Sequence, residues 1–179
     1  QDKSYQCELF ERAGLLTPPT MRVFNPLADV RFDRYRTHDS MRAIVEEVKQ
    51  RFHYPVILKR NRGTLSQGVF LVENRTDLEN HLEVQFTESG YFDNVFLIQG
   101  YLDGPEYRIV ASGPELFLAY EKVSDEEGIV LDLNPLHHVS GRAIRVGDPA
   151  MLHAMQRTVE EVASLIHLGF YAIDIISNG

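Results

Sequence analysis

The chain has 179 residues and an apolar fraction of 44%, so it is long enough to bury a sizeable core as one domain or as two small lobes. Its formal net charge of −8 argues against a nucleic-acid backbone as the main partner, because a polyphosphate would be repelled except at a local basic patch. No apolar run is long enough to span a bilayer and residues 1–4 do not open a signal peptide, so we expect a cytoplasmic protein without a membrane partner.

The spacing of apolar residues predicts a mixture of helices and strands. In chain order, the pattern predicts a helix at 3–14, a strand at 21–24, a loop at 25–36, a helix at 41–52, strands at 55–59 and 68–72, a helix that begins at 76 or 77, strands at 95–99, 106–111 and 116–123, a helix at 148–167 and a strand at 170–176. Short turn sequences separate the strands between 95 and 123, which favours antiparallel hairpins and an α+β fold.

The first candidate site is a lysine at the end of a β-branched run, followed by a loop that contains glycine and basic residues. Lys59 ends the predicted strand at 55–59, and a small-residue loop beyond it allows backbone N–H groups to approach a polyphosphate closely. Arg60 and Arg62 would add charged donors at the same place. The pattern indicates a nucleotide-phosphate site, and a strand followed by a solvated basic turn is the alternative.

Two further segments carry charged residues in predicted strands. Alternate residues of a strand share a face, so Glu106 and Arg108 point the same way, either in a site or as a surface ion pair. Asp174 lies inside an apolar run, where an ionised carboxylate needs a partner. Mg²⁺ would suit it as a hard cation that binds carboxylate oxygens, and the alternative is a structural aspartate paired with backbone or with an arginine.

In their order along the chain, these segments resemble the ATP-grasp superfamily of ATP-dependent carboxylate–amine ligases, which includes the D-alanine–D-alanine ligases and glutathione synthetases. In that family a strand lysine, a glycine-rich lid, an adenine-contacting linker before a ribose-binding glutamate, and a late metal-binding aspartate follow one another. The sequence Leu-x-Gly-Pro-Glu-Tyr-Arg at 102–108 is the most similar segment. Residues 2–20 also look like the helix and following turn that begin the family's nucleotide-binding region.

The resemblance implies roles for individual residues. It implies that Lys3 and Lys59 contact the ATP phosphates and that Asp174 holds Mg²⁺. Arg142 or Arg145 would be the catalytic arginine that meets the transferring phosphoryl group or the acyl phosphate. The remaining residues implied to bind ATP are Thr64, Ser66, Gln67 and Gly68 in the mobile lid, Gln99, Gly100 and Leu102 around adenine, Glu106 on the ribose hydroxyls, and Lys122 on adenine or phosphate.

The resemblance also implies a fold and an activity. We expect two α+β lobes with antiparallel sheets that hold ATP between them, with a small lid lobe at about 38–98 and the remainder in a larger lobe. The implied activity joins a small carboxylate, activated by ATP as an acyl phosphate, to an amine. Because the family's Glu-x-Asn metal motif would lie past residue 179, we expect residues 1–179 to be the nucleotide-binding region of a longer chain. The alternatives are a non-catalytic or degenerate ATP-grasp module and a metabolite-binding α+β domain without a nucleotide role.

Overall fold

The computed structural model of the chain describes residues 2–63, 68–88, 93–124 and 141–177. These residues form two compact units, the first with the described residues up to Tyr101 and the second with those from Leu102 onward. Within the described ranges, no helix is both long enough and apolar enough to cross a membrane.

The first unit is built around an antiparallel sheet of four strands. Its described elements are α1 (Lys3–Arg12), β1 (Thr20–Phe24), a 3₁₀ helix (Val30–Tyr35), α2 (Met41–Arg51), β2 (Val56–Arg60), β3 (Val69–Val72), α3 (Arg75–Glu88) and β4 (Val95–Gly100). The strand order is β1-β4-β2-β3, so β4 and β2 are the central strands.

Helices α2 and α3 cover one face of this sheet. Alternate residues of the central strands point towards them and are fully buried, namely Val56 and Leu58 of β2 and Phe96 and Ile98 of β4. The two helices add Ile44, Val45, Val48, Leu78, Leu82 and Phe86 to the same core. Because side chains alternate along a strand, the intervening residues of β2 and β4 point to the opposite face, where α1 contacts β4.

The second unit is an antiparallel sheet with one helix. Its described elements are β5 (Glu106–Ser112), β6 (Glu115–Ser124), β7 (Gly141–Arg145), α4 (Pro149–Leu165) and β8 (Phe170–Ile176). The strand order is β7-β6-β5-β8. Asp148 caps the start of helix α4, where its carboxylate accepts hydrogen bonds from the backbone amides of Ala150 and Met151, both at 3.2 Å. It packs Met155 and Val159 onto Ile109 and Ala119, so the other face of the sheet carries the polar residues.

The predicted elements in the described part of the chain are present, with ends that differ by one or two residues, and the structure adds β7, where the sequence predicted no element. Helices α1 and α4 end two residues earlier than the sequence predicted. The predicted loop at 25–36 contains the 3₁₀ helix Val30–Tyr35, which Asp29 caps by accepting a hydrogen bond from the Arg31 amide at 3.0 Å. Such a helix repeats every three residues over a short length, so it leaves no α-helical stripe to recognise. Strand β1 belongs to the first sheet although it lies outside the range 38–98 predicted for the small lobe.

Candidate functional site

Four charged residues meet on the polar face of the second sheet. Glu106 of β5 lies directly opposite Lys122 of β6, and Arg108 of β5 lies directly opposite Asp174 of β8. Directly opposed residues of antiparallel strands share a face, so all four side chains project away from α4. Three strands therefore bring together residues that are far apart in the sequence.

The four side chains form a continuous series of ion pairs. Arg108 binds Asp174 through two parallel hydrogen bonds, from Nε to Oδ1 at 2.7 Å and from Nη2 to Oδ2 at 2.8 Å. The ammonium of Lys122 lies 2.9 Å from Asp174 Oδ1 and also donates to Glu106 Oε1. The Lys122 side chain is only 2% exposed. Two cations balance two carboxylates, and a bidentate arginine pair is among the strongest of such contacts.

The surroundings shift the protonation of the two carboxyl groups in opposite directions. Burial raises the pKa of Glu106, and the hydrogen bond from Lys122 acts against that rise. Burial acts on Asp174 in the same way, but the hydrogen bonds and charges of Arg108 and Lys122 outweigh it and lower the pKa of Asp174. Asp174 is therefore held ionised, whereas Glu106 depends on Lys122 for its charge.

The pairing of Asp174 bears on the predicted metal site. Both of its carboxylate oxygens accept hydrogen bonds from Arg108, which is the arginine-paired arrangement that the sequence left open as the alternative. In the part of the chain that the structure describes, no three His, Cys, Asp or Glu residues are grouped closely enough to hold a metal ion. As arranged, these residues do not fit a Mg²⁺ site, and Mg²⁺ at Asp174 stays a prediction.

The two candidate catalytic arginines of β7 lie on opposite faces of the second sheet. Arg145 pairs with Tyr120 in the register of β6 and β7, which places it on the face of Lys122. Arg142 pairs with Val123, on the face that α4 covers elsewhere in the sheet. Only Arg145 therefore shares a face with the charged cluster.

Lys59 and Arg60 lie on opposite faces of the first sheet. Lys59 is directly opposite Leu97 and points away from α2 and α3. Arg60 points to the helices, where its Nε donates to Gln85 Oε1 of α3 at 2.6 Å. The interpretation that Arg60 adds a donor beside Lys59 is therefore wrong, because β2 extends one residue further than the sequence predicted.

Described residues lie at both ends of the predicted lid, with Gly63 just before it and Gly68 at its end. The backbone amide of Arg60 donates to the carbonyl of Gly68 at 3.1 Å, so the chain leaves β2 and returns to β3 at the same point. Gly68 has a φ of +72°, and a Cβ there would lie 2.9 Å from the Arg60 side chain, so both the backbone conformation and the space require glycine. The predicted contacts at Thr64, Ser66 and Gln67 lie outside the described residues.

Lys3 binds the chain just before the lid. Its ammonium donates to the backbone carbonyls of Asn61 and Gly63, while the amide of Ser4 donates to Asn61 Oδ1 at 2.7 Å. Burial lowers the pKa of Lys3, and the negative charge of Asp93 acts in the opposite direction. Lys3 thus fixes the start of the predicted lid, and its contact with ATP phosphates stays a prediction.

The side-chain amide of Gln99 is engaged within the first unit. It is almost fully buried, and its Nε2 donates to Thr20 Oγ1 at 2.7 Å and to the sulfur of Cys7 at 3.7 Å. Gly100 follows at the end of β4 and lies near Pro19. Among the predicted adenine contacts at Gln99, Gly100 and Leu102, the side-chain amide of Gln99 is therefore already hydrogen-bonded within the first unit.

A close backbone approach next to Glu106 was not predicted from the sequence. Gly104 has a φ of +151°, and a Cβ there would lie 2.0 Å from the carbonyl oxygen of Ser177. The amide of Ser177 donates to the carbonyl of Pro105 at 3.1 Å, which holds the end of β8 against this turn. The Asp-Gly-Pro sequence indicated only a turn, because nothing local shows which distant segment packs on it.

Comparisons with known proteins agree with this architecture. A family model described as "RimK-like ATP-grasp domain" matches residues 25–130. A D-alanine–D-alanine ligase from Acetivibrio thermocellus is 24% identical over an alignment of 178 residues, and the match covers 97% of this chain and 42% of that protein. The chain thus covers less than half of that relative's length.

Two solved structures share the fold. The D-alanine–D-alanine ligase from Bacillus anthracis complexed with ATP superposes with a TM-score of 0.65 at 17% identity, over 99% of this chain and 51% of that one. The VanG D-Ala:D-Ser ligase from Enterococcus faecalis gives a TM-score of 0.72 at 18% identity, over 98% of this chain and 48% of that one. The likeness confirms the predicted α+β fold with its antiparallel sheets.

Proposed function

Because the chain belongs to the RimK-like ATP-grasp family, we propose that it binds ATP as the nucleotide-binding region of a carboxylate–amine ligase. In the proposed reaction, a carboxylate oxygen of one substrate attacks the γ-phosphorus of ATP and ADP leaves. The amine of the second substrate then attacks the acyl phosphate at its carbonyl carbon, and inorganic phosphate leaves. The relative and both reported structures are ligases, which supports ligation over nucleotide binding alone.

The placement of Lys59 is the observation that carries the proposal. Lys59 is the last residue of β2 that points away from α2 and α3. It pairs with Val69 of β3, at the base of the hairpin whose connection is the predicted lid. A cation fixed on a strand beside a glycine-containing loop can order a polyphosphate without moving. The protein's contribution to phosphoryl transfer is such positioning and charge neutralisation.

The second unit supplies most of the other proposed contacts, while Gly100 of β4 belongs to the first unit. We assign the ribose hydroxyls to the carboxylate of Glu106 and the phosphoryl group to Arg145 rather than Arg142, because Arg145 shares the face of the charged cluster. Adenine would meet the backbone of Gly100 and the side chain of Leu102. Asp174 would bind Mg²⁺ only if its carboxylate released Arg108 and other residues supplied further ligands for the ion.

Thermal unfolding with and without MgATP tests ATP binding, because a ligand that binds only the folded state raises its stability by mass action. With ATP at about 100 times Kd, we expect a gain of about 2.7 kcal/mol, or about 5–10 °C in Tm for a chain of this size. Lys59→Ala removes a charged contact, so affinity should fall about 10- to 100-fold and the gain should shrink to about 0.4–1.4 kcal/mol. Lys49→Ala, at an exposed lysine of α2, should keep the full shift.

Trapping with hydroxylamine tests the acyl phosphate. Hydroxylamine replaces the amine substrate, so each carboxylate that the protein activates should appear as its hydroxamate, together with one equivalent of ADP and of phosphate. A panel of amino acids and short peptides serves as the carboxylate set. Tm shifts with MgATP, but no hydroxamate from any member of the panel, would contradict activation of these carboxylates by this chain and leave nucleotide binding as its function. Absence of the Tm shift in the unaltered chain would contradict ATP binding itself.

A further inference from the structure

The predicted contact of Lys122 with adenine or phosphate disagrees with the position of its ammonium. The side chain is 2% exposed, and its ammonium is engaged by Glu106 on one side and by Asp174 on the other. A side chain that binds a ligand directly has to present its polar end to the space that the ligand enters. We propose that Lys122 is a positioning residue, which holds Glu106 ionised and oriented for ribose hydroxyls without touching the nucleotide. This inference rests on the proposed function of Glu106.

The strand register explains why one lysine serves two carboxylates. Glu106 and Lys122 are direct neighbours across β5 and β6, and Asp174 lies on β8 at the far side of β5. The Lys122 ammonium therefore reaches across β5 to Asp174. Two carboxylates within reach of one ammonium repel each other, and the shared cation removes that repulsion.

The other cation of the cluster is engaged by the other carboxylate. Arg108 directs two hydrogen bonds to Asp174, and among the described residues the ion pair of Glu106 is made with Lys122. Burial already raises the pKa of Glu106, so without Lys122 its carboxyl would bind a proton more readily. The Glu106 carboxyl would also lose the hydrogen bond that fixes its orientation, so the ribose hydroxyls would lose a preorganised partner.

Comparison of two nucleotides tests the proposal through the ribose alone. Isothermal titration with ATP and with 2′,3′-dideoxy-ATP, both in EDTA, measures how much the ribose hydroxyls add to affinity. The unaltered chain should prefer ATP about 10- to 100-fold, since hydrogen bonds to a charged group are the strong ones. E106Q should lose this preference, and K122M should lose it as well. K49M makes the same change at an exposed lysine and should keep it.

The double variant E106Q/K122M decides whether Lys122 acts only through Glu106. If it does, the double variant binds ATP with the same Kd as E106Q. If Lys122 instead contacts phosphate, the double variant binds ATP about tenfold more weakly than E106Q, yet binds adenosine equally well, and the proposal is overturned. The double variant leaves no unpaired Glu106 carboxylate, so it answers the question even where K122M alone does not fold.

Failure of this inference and failure of the proposed function give different results. A ribose preference in the unaltered chain that K122M retains overturns this inference and leaves ATP binding intact. No binding of ATP by the unaltered chain, either in EDTA or with Mg²⁺, overturns the proposed function, and the role of Lys122 with it.

Discussion

Replacement of Gly104 by alanine should lower the stability of the second unit by more than the cost of the positive φ at this position. The new Cβ would lie 2.0 Å from the carbonyl oxygen and 2.9 Å from the carbonyl carbon of Ser177, so the gap must open to the 3.4 Å of an ordinary contact. Gly113→Ala is the matched control, because its φ of +52° is also positive but no atom lies within 4 Å of the added Cβ. The control should cost about 1–2 kcal/mol for the left-handed conformation.

Gly104→Ala carries at least as large a backbone cost, because a φ of +151° lies outside the left-handed region at about +57° that other residues can enter. It also adds overpacking against rigid backbone, which costs about 1–3 kcal/mol. At about 2–4 °C per kcal/mol, the overpacking alone places Gly104→Ala about 2–12 °C below Gly113→Ala. The chain has no tryptophan, so far-ultraviolet circular dichroism or calorimetry should follow the transition. Equal transition temperatures for the two variants would refute the close approach of the turn to the end of β8.

Three further predictions address the cluster, the first core and the lid. Asp174→Asn should lower the free energy of urea unfolding at neutral pH. The difference in unfolding free energy should shrink as the pH falls below 3.8, the ordinary pKa of an aspartate, and through the lowered pKa of Asp174 in the folded state. A difference that does not change with pH would contradict the pairing. Leu82→Ala, in the core of the first unit, should lower the free energy of unfolding by about 2–5 kcal/mol. Val84→Ala, on the same helix but with a side chain that is 46% exposed, should change it by no more than about 0.5 kcal/mol. Equal losses would place Leu82 outside the core. Asn61→Ala should cost about 1–3 kcal/mol and speed hydrogen exchange at the Ser4 amide, and unchanged exchange there would contradict the hydrogen bond.

Local sequence signals predicted the elements well because the ends of helices carry their own chemistry. Ser40 directly precedes the helix predicted at 41–52, and its hydroxyl accepts a hydrogen bond from the Ala43 amide at 3.3 Å. Asp148 was predicted to open α4, where it caps two amides. The 3₁₀ helix at Val30–Tyr35 was missed since it has no α-helical periodicity.

The candidate site was predicted only in part, because its geometry depends on strand register. Alternation correctly placed Glu106 and Arg108 on one face, but nothing local shows that Asp174, 66 residues beyond Arg108, is its partner. The error at Arg60 came from ending β2 one residue early, since a strand residue alternates and a loop residue does not. The burial of Lys122 between two carboxylates follows from the pairing of three strands, which the sequence does not specify.

The position of β8 in the second sheet also bears on how the chain folds during synthesis. Every described strand of the first sheet lies before residue 101, whereas β5 pairs with β8, which follows all the other described strands in the sequence. Until β8 emerges, β5 is an edge strand with unpaired backbone groups, and Arg108 has no carboxylate from Asp174. We therefore expect the first unit to fold ahead of the second, and the nascent second unit to be the stage at which aggregation competes with folding.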